Sequence, residues 1–176
     1  MGGWYSKSNQ YLKDEIKYTV LPRIRRALSD PVDAECPTKC LCHNVDNRRV
    51  AELVNQFSDD TRCTDAVYVL ECLPRNVTQK LVREEFHLQQ DARWVDQAQS
   101  KEQLLYVGVS QNVVNRMQEH VRAKGSGAHF TQIFPASRLL SIEWYPTNAL
   151  ACRAEEITAQ VLREETSDQI YVSQPG

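Results

Sequence analysis

The sequence predicts an α+β fold: a small sheet of about three strands, flanked by helices and preceded by a helical N-terminal extension. Three short segments rich in β-branched and aromatic residues alternate with longer segments of helical periodicity. With 176 residues, the chain can form one domain with a proper core, or one small domain with an appendage. Hydrophobic residues make up 41% and charged residues 25%, a balance that excludes a globally disordered chain.

Residues 1–63 are predicted to form a helical, cysteine-containing extension. One helix is expected over residues 8–29, where Ser29-Asp30-Pro31 ends the pattern, and a second over about 47–58. Basic residues lie between the apolar positions of the first helix: Lys13, Lys17, Arg23, Arg25 and Arg26. Two interpretations are open, a helix that lies on a DNA backbone and an ordinary solvated amphipathic helix.

Residues 64–176 are predicted to form the main domain. Strands are expected at 66–72, 104–109 and 138–145, and the polar stretch at about 75–103 is expected to be a helical insertion. Ser110 is a candidate N-cap for the helix that follows the second strand. Thr147 or Asn148 is expected to cap a final helix that reaches about Glu165.

Six cysteines raise the question of a metal site. A zinc site is conceivable in the extension, with the ligands Cys36, Cys40, Cys42 and Cys63. Their spacing lacks two clean Cys-x₂-Cys pairs, so free cysteines are the default expectation. Cys72 and Cys152 fall on a strand and a helix, where core packing explains them. The N-terminus has no apolar signal segment, and no apolar run is long enough to span a bilayer. An intracellular location away from the membrane is therefore expected.

One set of polar residues has a chemical logic. Tyr68 and Tyr106 lie on the first two predicted strands, Arg116 on the following helix and Glu155 on the last helix. Phosphodiester hydrolysis needs an activated water and charge stabilisation at phosphorus. Mg²⁺ is typically held by one or two carboxylates together with substrate oxygens. Arginine supplies a permanent positive charge, and a tyrosine can accept a proton where its pKa is lowered.

The order of short motifs is similar to that of the GIY-YIG nuclease family over about residues 64–172. The segments that carry this resemblance are Ala66-Val67-Tyr68, Tyr106-Val107-Gly108, the helix 112–120 with its arginine, the glycine turn and expected strand at 125–131, and Ala151-Cys152-Arg153-Ala154-Glu155. No single motif is specific, but their order together with the arginine and glutamate is. Ala66 stands where the family usually has glycine, and Ser173 or Gln174 lies where it often has asparagine.

The resemblance implies roles for five residues. Tyr68 would be the general base, Tyr106 would assist by hydrogen bonding, and Arg116 would stabilise the scissile phosphate. His120, one turn after Arg116, would be a phosphate contact or accessory base. Glu155 would hold Mg²⁺ or Mn²⁺, although the adjacent Glu156 is an alternative ligand.

The resemblance also implies duplex or branched DNA as the partner, since the family acts on nucleic acid. The basic stretch between the second and third strands supplies the candidate DNA contacts Arg122, Lys124, His129 and Arg138. A net charge of -2 argues mildly against a nucleic-acid binder. A chain with one active site cuts both strands only as a homodimer or in two encounters.

The resemblance thus favours a Mg²⁺-dependent endonuclease that hydrolyses DNA phosphodiester bonds by means of a tyrosine-activated water. Two alternatives stay open. One is a catalytically inactive nucleic-acid-binding module of the same fold, which Ala66 and the missing asparagine favour. The other is a zinc-stabilised interaction protein. Repair, restriction, recombination and mobile elements all reuse such a domain, so the sequence does not assign a pathway.

Overall fold

The computed structural model describes residues 3–29, 46–57, 63–88, 91–122 and 129–174. Its centre is a four-stranded sheet with the strand order β3-β1-β2-β4. The strands are β1 (Asp65–Cys72), β2 (Gln103–Ser110), β3 (Ala136–Tyr145) and β4 (Ile170–Ser173). β1 pairs antiparallel with both β2 and β3. The first three strands confirm the sequence prediction to within two residues at each end.

The fourth strand corrects the predicted count of three. β4 has only four residues and pairs in parallel with β2 at the edge of the sheet. So short a segment shows no alternation of polar and apolar residues that would mark it as a strand. It forms because the chain returns from the last helix beside the open edge of β2, whose backbone groups need partners.

The N-terminal helical segment covers one face of the sheet together with the last helix. It comprises α1 (Gly3–Glu15), a π-helical turn at Ile16–Val20 and α2 (Leu21–Ser29), which confirms the helix expected over 8–29. Its apolar side chains pack against α8 (Asn148–Glu165) and the sheet, and the buried ones are Leu12, Ile16, Val20, Leu21 and Ile24. The extension is therefore part of the same core as the sheet, although its predicted boundary at residue 63 is untested.

Ion pairs account for three of the five basic residues on this segment. Lys13 Nζ lies 3.1 Å from Glu164 Oε2, and Lys17 Nζ lies 2.9 Å from Glu165 Oε1, both on α8. Arg23 Nη1 lies 2.6 Å from Glu143 Oε1 on β3. These three cations form ion pairs with acidic residues of their own chain, and this favours an intramolecular role over contacts with a DNA backbone.

The other face of the sheet carries five short helices. They are α3 (Asn47–Asn55), α4 (Gln79–Glu85), α5 (Arg93–Gln99), α6 (Val113–Arg122) and α7 (His129–Ile133). α4 and α5 confirm the helical insertion. Two expectations were wrong. The N-cap of α6 is Asn112, whose Oδ1 accepts from Asn115 N at 3.2 Å, and the strand expected up to residue 131 is the start of α7.

One hydrogen bond identifies the N-cap of the last helix. Thr147, one of two candidates, caps α8 by accepting from the Leu150 amide at 3.2 Å. Among the described helices, none is both long enough and apolar enough to cross a membrane.

Candidate active site

Two tyrosines lie side by side on the face of the sheet that α6 covers. Tyr68 on β1 and Tyr106 on β2 are 0% and 1% exposed, and their ring centroids are 6.3 Å apart. Both point to the same face because side chains alternate along a strand, and the antiparallel register places Tyr68 opposite Gly108 and Tyr106 opposite Leu70. The sheet therefore brings together two residues that stand 38 positions apart in the sequence.

Gly108 makes room for both rings. A Cβ atom at this position would lie 2.5 Å from Tyr68 Cζ and 2.9 Å from Tyr106 Cε1, which is closer than carbon atoms approach without a bond. The absence of a side chain lets the Tyr68 ring lie across the neighbouring strand. Gly108 of the second motif is thus needed because any side chain there would overlap the Tyr68 ring of the first motif.

His120 is the hydrogen-bond partner of Tyr68. Its Nε2 lies 2.7 Å from Tyr68 Oη, and its Nδ1 lies 2.8 Å from Thr131 Oγ1 on α7. The ring is fully buried, and burial together with the Arg116 charge lowers the pKa of His120 to about 3. A neutral imidazole donates one hydrogen bond and accepts another, so it can accept the Tyr68 proton on Nε2 while Nδ1–H donates to Thr131.

Arg116 lies one helical turn before His120, on the same face of α6. Its Nη1 is 2.7 Å from Glu119 Oε2, and its charge lowers the pKa of both Tyr68 and Tyr106. Burial is the stronger influence on the tyrosines. It raises the pKa of Tyr106 to about 12 and that of Tyr68 further. Arg116 is therefore the cation that opposes desolvation at this site.

Glu155 supplies the carboxylate from α8. It is 6% exposed, and burial, followed by the charge of Glu156, raises the pKa of Glu155 to about 7. Burial is the main cause of the raised pKa of both tyrosines, and the negative charge of Glu155 adds to it. Glu156, the alternative ligand of the sequence analysis, is exposed. The geometry therefore favours Glu155 of the two.

Two polar atoms of this cluster are buried without a hydrogen-bond partner among the described residues, Glu155 Oε1 and Tyr106 Oη. Such atoms are rare, because desolvation without a bond costs about 1–3 kcal/mol. A carboxylate oxygen left in this way fits a hard divalent cation. No group of three or more His, Cys, Asp or Glu in the described ranges could hold a metal alone. The donor set fits an ion that takes one protein carboxylate and completes its shell with water and substrate phosphate.

The candidate DNA contacts are not gathered at one place. Arg138 lies on the opposite face of the sheet from Tyr68, where it pairs with Glu71 and donates to Ala27 O at 2.9 Å. With 8% of its side chain exposed, it has a structural role instead of the predicted surface role. His129 is exposed, and its ring lies 4.8 Å from that of Phe86. The Arg122 side chain and Lys124 lie outside the described residues.

The candidate zinc ligands are largely outside the described residues as well. Cys36, Cys40 and Cys42 lie outside the described residues, so the zinc prediction is untested. Cys63, the fourth candidate, is a half-buried free thiol, and Cys72 is a buried one. Cys152 is half-buried and not in the core, with its Sγ 3.6 Å from Asn148 Oδ1.

Thr131 and Glu119 belong to the site but were not among the predicted residues. Thr131 fixes the ring of His120 from a helix where the sequence analysis expected a strand. Glu119 stands three residues after Arg116, which is the helical spacing for an ion pair, and this signal could have found it. No pattern in the sequence relates Thr131 to His120.

The predicted insertion packs next to these residues. The Trp94 ring on α5 lies 6.0 Å from that of Phe130 on α7, and Phe130 stacks on Tyr106 at 6.2 Å. The insertion is therefore separated from Tyr106 by a single aromatic ring.

Comparison with known proteins gives a family but no individual relative. No curated protein and no solved structure has a significant match to this chain. One family model matches, the GIY-YIG catalytic domain, over residues 95–167. The matched span holds Tyr106, Arg116, His120 and Glu155, while Tyr68 on β1 precedes it. The resemblance inferred from the motifs is thereby confirmed for residues 95–167, which match the catalytic domain of a family whose members are generally nucleases.

Proposed function

We propose that this protein is an endonuclease that hydrolyses DNA phosphodiester bonds with one Mg²⁺ or Mn²⁺ ion. The observation that carries the proposal is the unpartnered, buried Oε1 of Glu155, whose charge acts on both Tyr68 and Tyr106. A cluster that holds a carboxylate, a guanidinium and two phenols around unsatisfied atoms is suited to a charged ligand. Phosphate with a divalent cation is the ligand that satisfies both charges.

In the proposed mechanism, Tyr68 accepts the proton of the attacking water at its Oη. The phenol must first lose its own proton, and His120 Nε2 at 2.7 Å is the acceptor within reach. Nδ1–H of His120 donates to Thr131 Oγ1, which holds the ring in the orientation that leaves Nε2 open. The transfer leaves an imidazolium on His120 and a phenolate on Tyr68, and the adjacent Arg116 charge is what stabilises the phenolate.

Arg116 and Tyr106 act on the phosphate. The Arg116 guanidinium is held on one side by Glu119, and its other donors are directed toward the tyrosines, where a phosphate oxygen would sit. Tyr106 Oη donates to the same phosphate, which satisfies its unpartnered hydroxyl. Glu155 would hold the divalent cation, which supplies Lewis-acid stabilisation of charge on the phosphate and the leaving oxygen.

The non-catalytic binding module is the second candidate, and Ala66 is the feature that favoured it. Ala66 is fully buried and pairs in register with Ser110 and Trp144. It lies two residues before Tyr68 on the same face, and the strand accepts its methyl group without a register shift at this position. The substitution therefore leaves the arrangement of Tyr68 and Gly108 intact, which supports the enzyme over the binding module.

The test is cleavage of plasmid, duplex, branched and single-stranded DNA with Mg²⁺ or Mn²⁺, by wild type, Glu155→Gln and the matched neighbour Glu156→Gln. We expect metal-dependent cutting by wild type and Glu156→Gln, and a loss of at least about a hundredfold in Glu155→Gln. A folded wild-type protein that cuts none of these substrates but binds them would establish the binding module instead. RNA of the same sequences tests the choice of nucleic acid. The dependence of nicking and double-strand cutting on protein concentration tests the proposed homodimer.

A further inference from the structure

A cavity lies at the junction of the N-terminal extension and the matched domain. Its volume is about 230 Å³, room for roughly seven waters at about 30 Å³ each and below the 300–1,000 Å³ of a typical drug-sized pocket. It opens between the end of α3, the start of β1, the residues before α6 and the end of β3. The lining includes Asn55, Thr64, Gln111, Asn112, Val114 and Trp144.

The lining is neutral throughout. Among its described residues there is no lysine, arginine, aspartate or glutamate, so neither a phosphate nor a metal ion is a natural occupant. Valines and the indole of Trp144 form the apolar part. The Trp144 ring is half-buried and is held in place because its Nε1–H donates to Phe57 O at 3.2 Å. The cavity therefore presents a fixed aromatic side chain to an uncharged ligand.

Two amide side chains stand at the rim. Gln111 makes no hydrogen bond to the described residues. Asn112 uses its Oδ1 to cap α6, which leaves its amide N–H groups without a partner in the described structure. An aromatic side chain beside free amide donors and acceptors is the combination that proteins use for an unstacked nucleobase, since the ring stacks and the amides pair with the base edge.

The distance to the reacting centre suits a nucleotide close to the scissile bond. Thr64 stands four residues before Tyr68, about 13 Å along an extended strand at roughly 3.3 Å per residue. Val113, another lining residue, begins the helix that carries Arg116 one turn later. Since stacked nucleotides rise about 3.4 Å each, the cavity lies within about four nucleotides of a phosphate held by Arg116.

We propose that this cavity binds one unstacked nucleobase of the strand being cut, within about four nucleotides of the scissile phosphate. This inference rests on the proposed nuclease function and adds a base-recognition site to it. Part of the lining (Val54, Asn55, Cys63 and Thr64) precedes the matched span of residues 95–167, so the cavity lies between that span and the chain before it. It gives the N-terminal extension a part in substrate choice.

The test uses fluorescein-labelled copies of the oligonucleotide that wild type cuts fastest, each with a single abasic residue, scanned four positions to either side of the cleavage site. Binding is measured by fluorescence anisotropy without divalent metal. We expect one position at which loss of the base weakens wild-type binding about tenfold, the scale of one base stacked on an aromatic side chain. Trp144→Leu should bind the intact and the abasic oligonucleotide equally, while Trp94→Leu, away from the cavity, should keep the difference.

Gln111→Ala keeps the test decisive if Trp144→Leu does not fold, because Gln111 is exposed and its truncation should cost little stability. It should reduce the same abasic penalty by about half or more. A flat abasic scan by a wild-type protein that still cuts the intact DNA overturns the cavity inference and leaves the nuclease in place. A penalty that persists unchanged in both variants also overturns it. Failure of wild type to cut or bind any intact substrate overturns the proposed function and this inference together.

Discussion

Tyr68 and His120 share a hydrogen bond of 2.7 Å in the interior of the protein, between a strand and a helix that are 52 residues apart in sequence. Both side chains are 0% exposed. Burial raises the pKa of Tyr68 and lowers that of His120, so both groups are neutral over the ordinary pH range. Transfer of the Tyr68 proton to His120 is therefore unfavourable in the ligand-free protein.

The Tyr68→Phe variant should fold but lose catalysis. Removal of the hydroxyl deletes the proposed proton acceptor, and general-base catalysis contributes about 10²–10⁴ in rate. His120 Nε2 loses its partner, so stability should fall by about 1–3 kcal/mol. Single-turnover cleavage and urea unfolding measure the two effects. Tyr145→Phe, a buried tyrosine on the opposite face of the sheet, is the control and should cut normally. A folded Tyr68→Phe that cuts at the wild-type rate would show that another group activates the water.

The Gly108→Ala variant should lose activity through displacement of Tyr68. The added methyl group would stand 2.5 Å from Tyr68 Cζ, so the ring must move, and overpacking of this kind costs about 1–3 kcal/mol. The double variant Tyr68→Phe/Gly108→Ala removes the hydroxyl that crowds the same point. Its stability loss should therefore be smaller than the sum of the two single losses. Strict additivity in thermal unfolding would mean that the two residues do not compete for this space.

The Glu155 carboxyl should make the metal-free protein less stable as the pH rises. Its folded pKa of about 7 lies above the ordinary value of 4.5, so the folded chain keeps a proton that the unfolded chain has lost. The stabilisation is complete below pH 4.5 and is lost as the pH rises to about 7. After allowance for solvent screening, the loss should be about 1–2 kcal/mol. Because His120 changes stability in the opposite direction below pH 6.5, the Glu155 slope is measured as the difference between the pH profiles of wild type and Glu155→Gln.

Glu156→Gln is the matched control for that measurement. It should keep most of the slope, because the charge of Glu156 is the smaller of the two causes of the shift. Added Mg²⁺ should raise the melting temperature of wild type more at pH 8 than at pH 6, since the ion binds the ionised carboxylate. An equal rise in Glu155→Gln would place the metal elsewhere.

The His120 imidazole should act on stability in the opposite direction. Its folded pKa of about 3 lies below the ordinary 6.5, so the unfolded chain takes up a proton that the folded chain refuses. Stability is therefore lost as the pH falls from 6.5 toward 3, on the order of 3 kcal/mol from this group. His120→Gln should show a smaller difference in unfolding free energy between pH 7 and pH 4 than wild type. A difference as large as that of wild type would contradict the buried, neutral state of His120.

The Arg138→Gln variant should damage the fold and spare DNA binding. It breaks a buried ion pair and leaves Glu71 uncompensated, which costs about 3–5 kcal/mol, and it removes the link to Ala27 O at the end of α2. Arg48→Gln, an arginine of α3 whose side chain is 88% exposed, is the comparison and should lose much less stability. Under conditions where Arg138→Gln is folded, its DNA affinity and salt dependence should equal those of wild type. A weaker salt dependence would restore Arg138 as a phosphate contact.

The sequence by itself determined the elements and the chemistry of the candidate site. The composition of three apolar runs predicts β1, β2 and β3, and the periodicity of apolar residues predicts the helices before and after them. The order of motifs along the chain resembles that of a known family. This order alone identified the candidate site residues Tyr68, Tyr106, Arg116, His120 and Glu155. Local signals of this kind need no knowledge of what packs against what.

Only the tertiary structure decided how those residues act on one another. The choice of Glu155 over Glu156 depends on which side of α8 faces the sheet, and two adjacent carboxylates look alike in sequence. Arg138 was predicted to contact nucleic acid from its charge alone. Its partner in the structure is Glu71, which lies 67 residues away on a neighbouring strand. β4, Thr131 and the cavity beside Trp144 were missed for the same reason. Each is created by contacts between segments distant in sequence, and such contacts leave no periodic trace in any one of them.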